Sequence, residues 1–186
     1  MKRLLCYIVM VVFSGCATLR SPNCVSLHAG VGFCLQSAHA VGDFSVLQRV
    51  DVTWNQRKET ALVELETESS SFTMAVLTPM GQKLMQFKYV PSKIIPMGGM
   101  PIQIDPALIA ALVQLSIWPD DSVLTGLYGQ YEWKTTQNRR VLSAGGQTVL
   151  DIAYEGVLPD PDRIQVRLPL QNLDMHIQSL GDTVKP

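Results

Sequence analysis

Residues 105–119 read DPALIAALVQLSIWP and divide the chain into two groups of predicted strands. Asp105 is a favourable N-cap and Pro106 suits the first helical position, so a helix is predicted to begin here. Almost every residue from Ala107 to Ile117 is apolar. A helix that is apolar on all sides must be buried or lie in an apolar groove. Trp118 precedes a proline, which disfavours helical backbone and ends the helix.

Before this helix, apolar and polar residues alternate along the segments Gln48–Trp54, Leu62–Glu68 and Gln82–Val90. A period of two predicts strands that have one packed face and one solvated face. The segment Phe72–Leu77 is more uniformly apolar, and the turn sequence Pro79-Met80-Gly81 follows it. Together these segments predict a meander of antiparallel strands.

After the helix, a second short helix is predicted over Asp121–Tyr128, and strand patterns then return. Gly145-Gly146 is a strong signal for a tight hairpin between two of these strands. The predicted strands are Tyr131–Thr136, Arg140–Ser143, Gln147–Glu155, Arg163–Leu168 and Asn172–Ser179.

The order of strands, apolar helix and strands predicts an α+β domain, in which a strongly curved antiparallel sheet is covered by helix on one face. The helix either fills the inner side of this sheet or leaves an apolar cavity that a ligand can enter. The sequence leaves both arrangements open.

The N-terminus has the features of a signal peptide. Lys2 and Arg3 form a basic start, Leu4–Phe13 is apolar, and the small residues Ser14 and Gly15 follow. The apolar core is about half as long as the roughly twenty residues that a membrane-spanning helix needs. We therefore expect a cleaved leader rather than a permanent transmembrane anchor.

The small residues before Cys16 resemble a lipobox, so lipidation of Cys16 is expected. The corresponding division of the chain is a lipoprotein signal peptide over 1–15, a lipidated tether over 16–32 and one domain over 33–186. Ala17 is not acidic, and by resemblance to other lipoproteins this favours an outer-membrane location facing the periplasm. Ordinary secretion with a different cleavage site is the alternative.

The composition argues against two classes of function. The chain has 15 basic and 16 acidic residues and no basic run, so neither a polyanion nor a nucleic acid is expected as a partner. It also contains no G-x-S-x-G elbow, P-loop or H-E-x-x-H helix. We therefore expect a protein that is not an enzyme, and assign no catalytic residue and no cofactor.

Cys24 and Cys34 remain after removal of the leader. An oxidising compartment favours a disulfide between them. Free thiols are a second interpretation. A metal site that also includes His28 and His39 is a third, although the spacings match no standard zinc pattern.

Four short stretches together resemble a known family. They are Phe13-Ser14-Gly15-Cys16, Gln48-Arg49-Val50, Leu77-Thr78-Pro79-Met80-Gly81-Gln82-Lys83-Leu84 and Gln114-Leu115-Ser116-Ile117-Trp118-Pro119. The set resembles the small bacterial lipoproteins called domain of unknown function 3261, a family often associated with aryl-polyene or fatty-acid-like biosynthesis genes. That family looks similar in fold to the lipoprotein carriers LolA and LolB.

The resemblance implies a half-open β-barrel with an apolar helical lid, which handles a lipid or acyl-like ligand in the envelope. The membrane is then a partner through the lipid anchor. The alternative is a non-catalytic accessory lipoprotein that binds another envelope protein. The residues expected at the cavity and lid are Met74, Val76, Met85, Phe87, Leu108, Leu112, Leu115 and Trp118.

LolB-like proteins also expose an apolar side chain on a loop between strands, where it touches the membrane. Met80 is the candidate for this contact, together with Met97 and Met100. Packing of these methionines on the core is the alternative, just as the cavity residues could be plain core. Methionine adapts to irregular apolar ligands, which supports a cavity that a ligand can enter.

Overall fold

The computed structural model describes residues 23–99, 105–157 and 160–182. Its strands are β1 (Cys24–His28), β2 (Val31–Cys34), β3 (Phe44–Trp54), β4 (Arg57–Glu68), β5 (Ser71–Leu77), β6 (Lys83–Val90), β7 (Lys93–Gly99), β8 (Leu127–Gly129), β9 (Glu132–Thr136), β10 (Arg139–Ala144), β11 (Gln147–Val157), β12 (Asp160–Leu168) and β13 (Leu173–Asp182). The helices are α1 (Pro106–Ile117) and α2 (Asp120–Gly126), and single 3-10 turns lie at Ala38–Ala40 and Pro169–Gln171.

Two antiparallel meanders join in one ten-stranded sheet, in the order β7-β6-β5-β4-β3-β13-β12-β11-β10-β9. The junction is the ladder between β3 and β13, where Val50 lies opposite Ile177 and Val52 opposite Met175. Strands β7 and β9 are therefore the two edges of this sheet, which does not close on itself. A separate small sheet has the order β1-β2-β8.

The alternation of the strands separates an inner face from an outer face. Leu65 lies opposite Met74, which lies opposite Phe87, and all three side chains are buried. Glu64 and Glu66, on the same strand as Leu65, are exposed. The inner face therefore carries the core, and the outer face meets water, as the period of two predicts.

Helix α1 packs on the inner face. The side chain of Asp105 accepts a hydrogen bond from the backbone N–H of Ala107 at 2.9 Å, so the predicted N-cap is confirmed. Trp118 ends the helix, and its ring lies 5.8 Å from that of Phe72 on β5. The buried residues of β1, β2 and β8 belong to the same core. None of the helices within the described residues has the length and apolar character needed to cross a membrane.

The expected antiparallel sheet with helices is confirmed, but the described residues are mostly β, where the sequence predicted an α+β domain. A second expectation needs correction. The segment expected to be a tether over 16–32 contains β1 and the start of β2. Val25, Leu27 and Val31 from this segment are buried in the core, so the folded part of the chain already includes β1.

Candidate functional site

The eight residues expected at the cavity and lid come together in one hydrophobic core. Six of them are buried, namely Met74, Met85, Phe87, Leu112, Leu115 and Trp118. Only Val76 and Leu108 are partly accessible. Six members of the set are thus closed off from solvent by the contact between α1 and the sheet.

Apolar side chains that remain partly accessible lie beside this core, on the middle strands of the inner face. We call them the central strip. On both sides of these strands the inner face carries fully buried side chains, such as Phe72 and Phe87 on one side and Ile152 and Val166 on the other. The strip between the flanks consists of Val46, Val52, Ala61, Val63, Leu173, Met175 and Ile177, all of them partly buried. The same face of these strands also carries the buried Val50 and the polar Gln48.

The C-terminal half of α1 is held by the backbone of residues 35–37, which we call the strap. The buried Trp118 ring donates from Nε1 to the carbonyl of Ser37 at 3.0 Å. The hydroxyl of Tyr89 donates to the carbonyl of Leu35 at 3.0 Å. Gln114, which is also buried, contacts the middle of the strap at Gln36. The strap is therefore tied both to the helix and to strand β6.

A buried arginine holds the end of α1 from the opposite side. Arg140 Nη1 donates to the carbonyls of Leu115 and Ser116 at 3.0 and 3.3 Å. Its Nε lies 3.2 Å from Asp120 Oδ1, and the two groups form an ion pair without the geometry of a hydrogen bond. A cation at a helix C-terminus is favourable because the last carbonyls lack partners within the helix. Arg140 thus joins α1, α2 and β10.

Tyr154 reinforces the same end of α1. Its hydroxyl donates to the carbonyl of Ser116 at 2.7 Å, and the Arg140 guanidinium lies 5.8 Å from its ring centre. Burial raises the pKa of Tyr154 to about 12. The phenol therefore stays neutral and acts as a donor to the helix, rather than as a proton-transfer group near neutral pH.

The N-terminal half of α1 lacks comparable anchors among the described residues. Leu108, Ile109 and Val113 are partly buried and pack at the margin of the core. The two halves of the helix thus differ. The polar contacts to the strap and to Arg140 come from residues 114–118, and the first two turns rest on apolar contacts.

The candidate membrane-contact residues are exposed. The Met80 side chain is 94% exposed in the turn between β5 and β6, and Met97 on edge strand β7 is 51% exposed. Met100 lies outside the described residues, as does Cys16. Trp54, 55% exposed, lies at the end of β3. Because β3 and β5 run in the same direction, their following turns place Trp54 and Met80 at the same end of the sheet.

Cys24 and Cys34 form a disulfide across the β1–β2 hairpin. Of the three interpretations of these cysteines, the structure therefore has the disulfide. The bond lies directly before the strap, where Gln36 Nε2 donates to the carbonyl of Cys34 at 2.7 Å. It fixes the start of the segment that holds α1. His28 and His39 fall in no metal-binding cluster of the described residues.

The outer face carries a polar trough of about 330 Å³ around Ala153. Its charged groups already have partners. Arg163 pairs with Glu155 at 3.3 Å, and hydrogen bonds from Thr60 and Arg49 hold the pKa of Asp51 below its usual value. A trough with this polar lining does not suit an acyl chain, and we assign it no catalytic role.

The residues that sequence analysis missed are Gln114, Arg140 and Tyr154. One signal for Arg140 was available, because alternation along β10 places it on the same face as the apolar Leu142. A charged side chain in a core position must find a partner. The central strip gave no comparable signal, since it forms only when β3 pairs with β13, a strand distant from it in sequence.

The chain matches a protein family over most of the domain described above. The model of a family described as a protein of unknown function, DUF3261, matches residues 45–181. This range takes in nearly all of the ten-stranded sheet and both helices, and leaves β1 and β2 outside. No curated protein matches the chain. The chain therefore belongs to DUF3261, a family of unknown function.

Proposed function

We propose that this chain is a lipid-anchored envelope protein that binds an acyl chain or a similar apolar ligand on the inner face of its sheet. In this proposal the fold is a LolA/LolB-like half-open barrel, and the chain is anchored at Cys16 in the outer membrane, facing the periplasm. The protein binds or hands over its ligand without chemical change.

The central strip is the observation that carries the proposal. Seven apolar side chains on the middle strands of the inner face remain partly accessible, and fully buried side chains such as Phe87 and Val166 lie on either side of them. Each methylene removed from water contributes about 0.8 kcal/mol, so an acyl chain along the strip gains substantial binding energy. Met175 adds an adaptable surface, since methionine fits irregular apolar shapes.

The anchoring of α1 suggests how a ligand enters. The polar contacts of residues 114–118 keep the C-terminal half of the helix in place, so any lid movement involves the first two turns around Leu108 and Ile109. The lid in this proposal is thus shorter than the expected lid, which ran from Leu108 to Leu115.

Exposed Met80 supports contact with a membrane. An apolar side chain at the tip of a turn is well placed to enter the lipid interface. The Met80→Asp variant should slow the passage of a bound acyl probe to phospholipid vesicles while leaving uptake of the probe unchanged. Equal transfer rates for Met80→Asp and Met80→Leu would show that Met80 does not contact the membrane during transfer.

A second candidate is an accessory lipoprotein that binds another envelope protein. The observation in its favour is the complete burial of Leu115 and Trp118, because α1 then fills much of the inner side by itself. This candidate requires no ligand on the central strip.

Native mass spectrometry of the full chain, extracted from membranes in mild detergent, distinguishes the two candidates. An apolar ligand that leaves on denaturation and appears in an organic extract is expected. A ligand-free mass, with no uptake of added fluorescent fatty acid, would contradict the carrier function. Stoichiometric co-purification of a protein in that case would support the accessory function.

A further inference from the structure

The two edges of the ten-stranded sheet differ in their ability to accept another strand. Edge strand β7 contains Pro96, which has no N–H donor, and Gly98 and Gly99 at positive φ. Its register with β6 also shifts between Gln86 and Phe87. Proline and bulges are devices by which natural proteins block pairing at a sheet edge.

Edge strand β9 has none of these devices. Its five residues, Glu-Trp-Lys-Thr-Thr, include no proline or glycine, and all five pair with β10 without a register shift. Four of the five are exposed, and Trp133 is partly buried. In an antiparallel ladder alternate backbone groups of an edge strand point away from its neighbour. Strand β9 therefore offers a regular row of donors and acceptors.

The charges on β9 match those of an identical strand. Glu132 and Lys134 lie on the same face of β9, and within one chain Lys134 Nζ lies 3.3 Å from Glu132 Oε2. The two side chains are 72% and 75% exposed. A twofold axis through Trp133 would place Glu132 of each copy opposite Lys134 of the other. A lysine on an edge strand ordinarily discourages pairing, but here its cross-strand neighbour in the twofold arrangement carries the opposite charge.

We propose that β9 pairs antiparallel with β9 of a second copy of this chain. The contact is isologous, so the same Glu132–Lys134 pair forms twice. The interface is remote from the central strip, because three strands separate β9 from β13. A variant that loses the dimer is therefore expected to keep ligand binding, and a variant that loses ligand binding is expected to keep the dimer.

Sedimentation equilibrium of the full chain in density-matched detergent tests the pairing. The unmodified chain should have twice the monomer mass. The single variants Lys134→Glu and Glu132→Lys each place like charges opposite one another at two positions. Each should weaken dimerisation by about tenfold or more. The double variant Glu132→Lys/Lys134→Glu restores opposite charges and should restore the dimer.

Three outcomes would overturn the proposal: a monomer at every concentration, a dimer indifferent to both single substitutions, or a monomeric double variant. The double variant contains both changes. If it forms the dimer again, the loss in the single variants is due to charge and not to damage to the fold. Circular dichroism of all four proteins supplies the matching control, and the same far-ultraviolet spectrum is expected throughout.

Discussion

The side-chain amide of Gln114 forms two hydrogen bonds with the backbone of Gln36. Gln114 Oε1 accepts from the N–H of Gln36 at 2.7 Å, and Gln114 Nε2 donates to its carbonyl at 2.7 Å. The side chain of Gln114 thus provides hydrogen-bond partners for both the N–H and the carbonyl of Gln36, a residue that lies outside any strand. This is how the strap is fixed to α1 without a sheet ladder.

Replacing Gln114 with leucine should lower the free energy of unfolding by about 2 kcal/mol, because two backbone groups of Gln36 lose their partners inside the protein. Urea unfolding followed by circular dichroism measures the change. The matched control is Gln178→Leu on the exposed outer face, where a change within about 0.5 kcal/mol is expected. Equal effects at the two positions would show that the Gln36 contact contributes little.

Arg140→Met should destabilise the domain by about 3 kcal/mol, since it leaves the last carbonyls of α1 and the Asp120 carboxylate without their cation. Denaturant unfolding again provides the measurement. Arg163→Met is the control, because the Arg163–Glu155 pair is exposed and such pairs contribute between zero and about 1 kcal/mol. A cost below 1 kcal/mol for Arg140→Met would contradict the role assigned to this residue.

The hydroxyl of Tyr154 should make stability depend on alkaline pH. An unfolded tyrosine ionises near pH 10, whereas the folded pKa is about 12. The unfolded state therefore loses its proton first, and stability falls as pH rises from 10 to 12, by on the order of 2 to 3 kcal/mol.

The comparison that isolates this effect is the difference in unfolding free energy between the native chain and Tyr154→Phe. That difference should be constant below pH 10 and shrink above it. A difference that does not change up to pH 12 would mean that the phenol is not buried as described.

The disulfide should stabilise the strap region. Replacing Cys24 and Cys34 with serine should cost about 3 kcal/mol, the value expected from the entropy of closing a short loop. Addition of a reductant should lower the melting temperature of the native chain and leave that of the double-serine variant unchanged. A reductant effect of the same size in both proteins would point to another cause.

Filling the central strip should block ligand uptake. Ala61→Trp places an indole among the strip side chains, where it takes the space of the acyl chain. If the indole prevents burial of only two methylenes of the ligand, binding weakens by about 1.6 kcal/mol. This corresponds to more than a tenfold loss of affinity. Leu47→Trp, on the outer face of β3, should leave affinity for a fluorescent fatty acid unchanged. Equal affinities for the two variants would show that the ligand does not bind at the strip.

Local signals in the sequence predicted the local elements. The Asp105-Pro106 start of α1, the alternation in β4 and the Gly145-Gly146 hairpin were all confirmed, because each depends on backbone preferences within a few residues. The segment that forms β1 and β2 was missed. Its strands are short, and the pairing of β2 with β8 and the core contacts that stabilise them involve residues distant in sequence.

Contacts between distant residues set the limit of prediction for the site as well. The residues expected at the cavity and lid lie together in one core, but their burial depends on how α1 is anchored by Gln114 and Arg140. The residues of the accessible strip lie on β3, β4 and β13, which are brought together only by the β3–β4 and β3–β13 ladders. No single stretch of sequence contains that information.

The pairing of β13 with β3 has a consequence for the order in which the domain forms. The first meander can assemble while the rest of the chain is being made, but its open side at β3 must wait for the last strand of the second meander. A contact between such distant segments slows folding, because a long loop must close before any pairing is gained. Until synthesis has reached Asp182, β3 stays a temporary edge, open to wrong partners. Loss of β13 would make that exposure permanent.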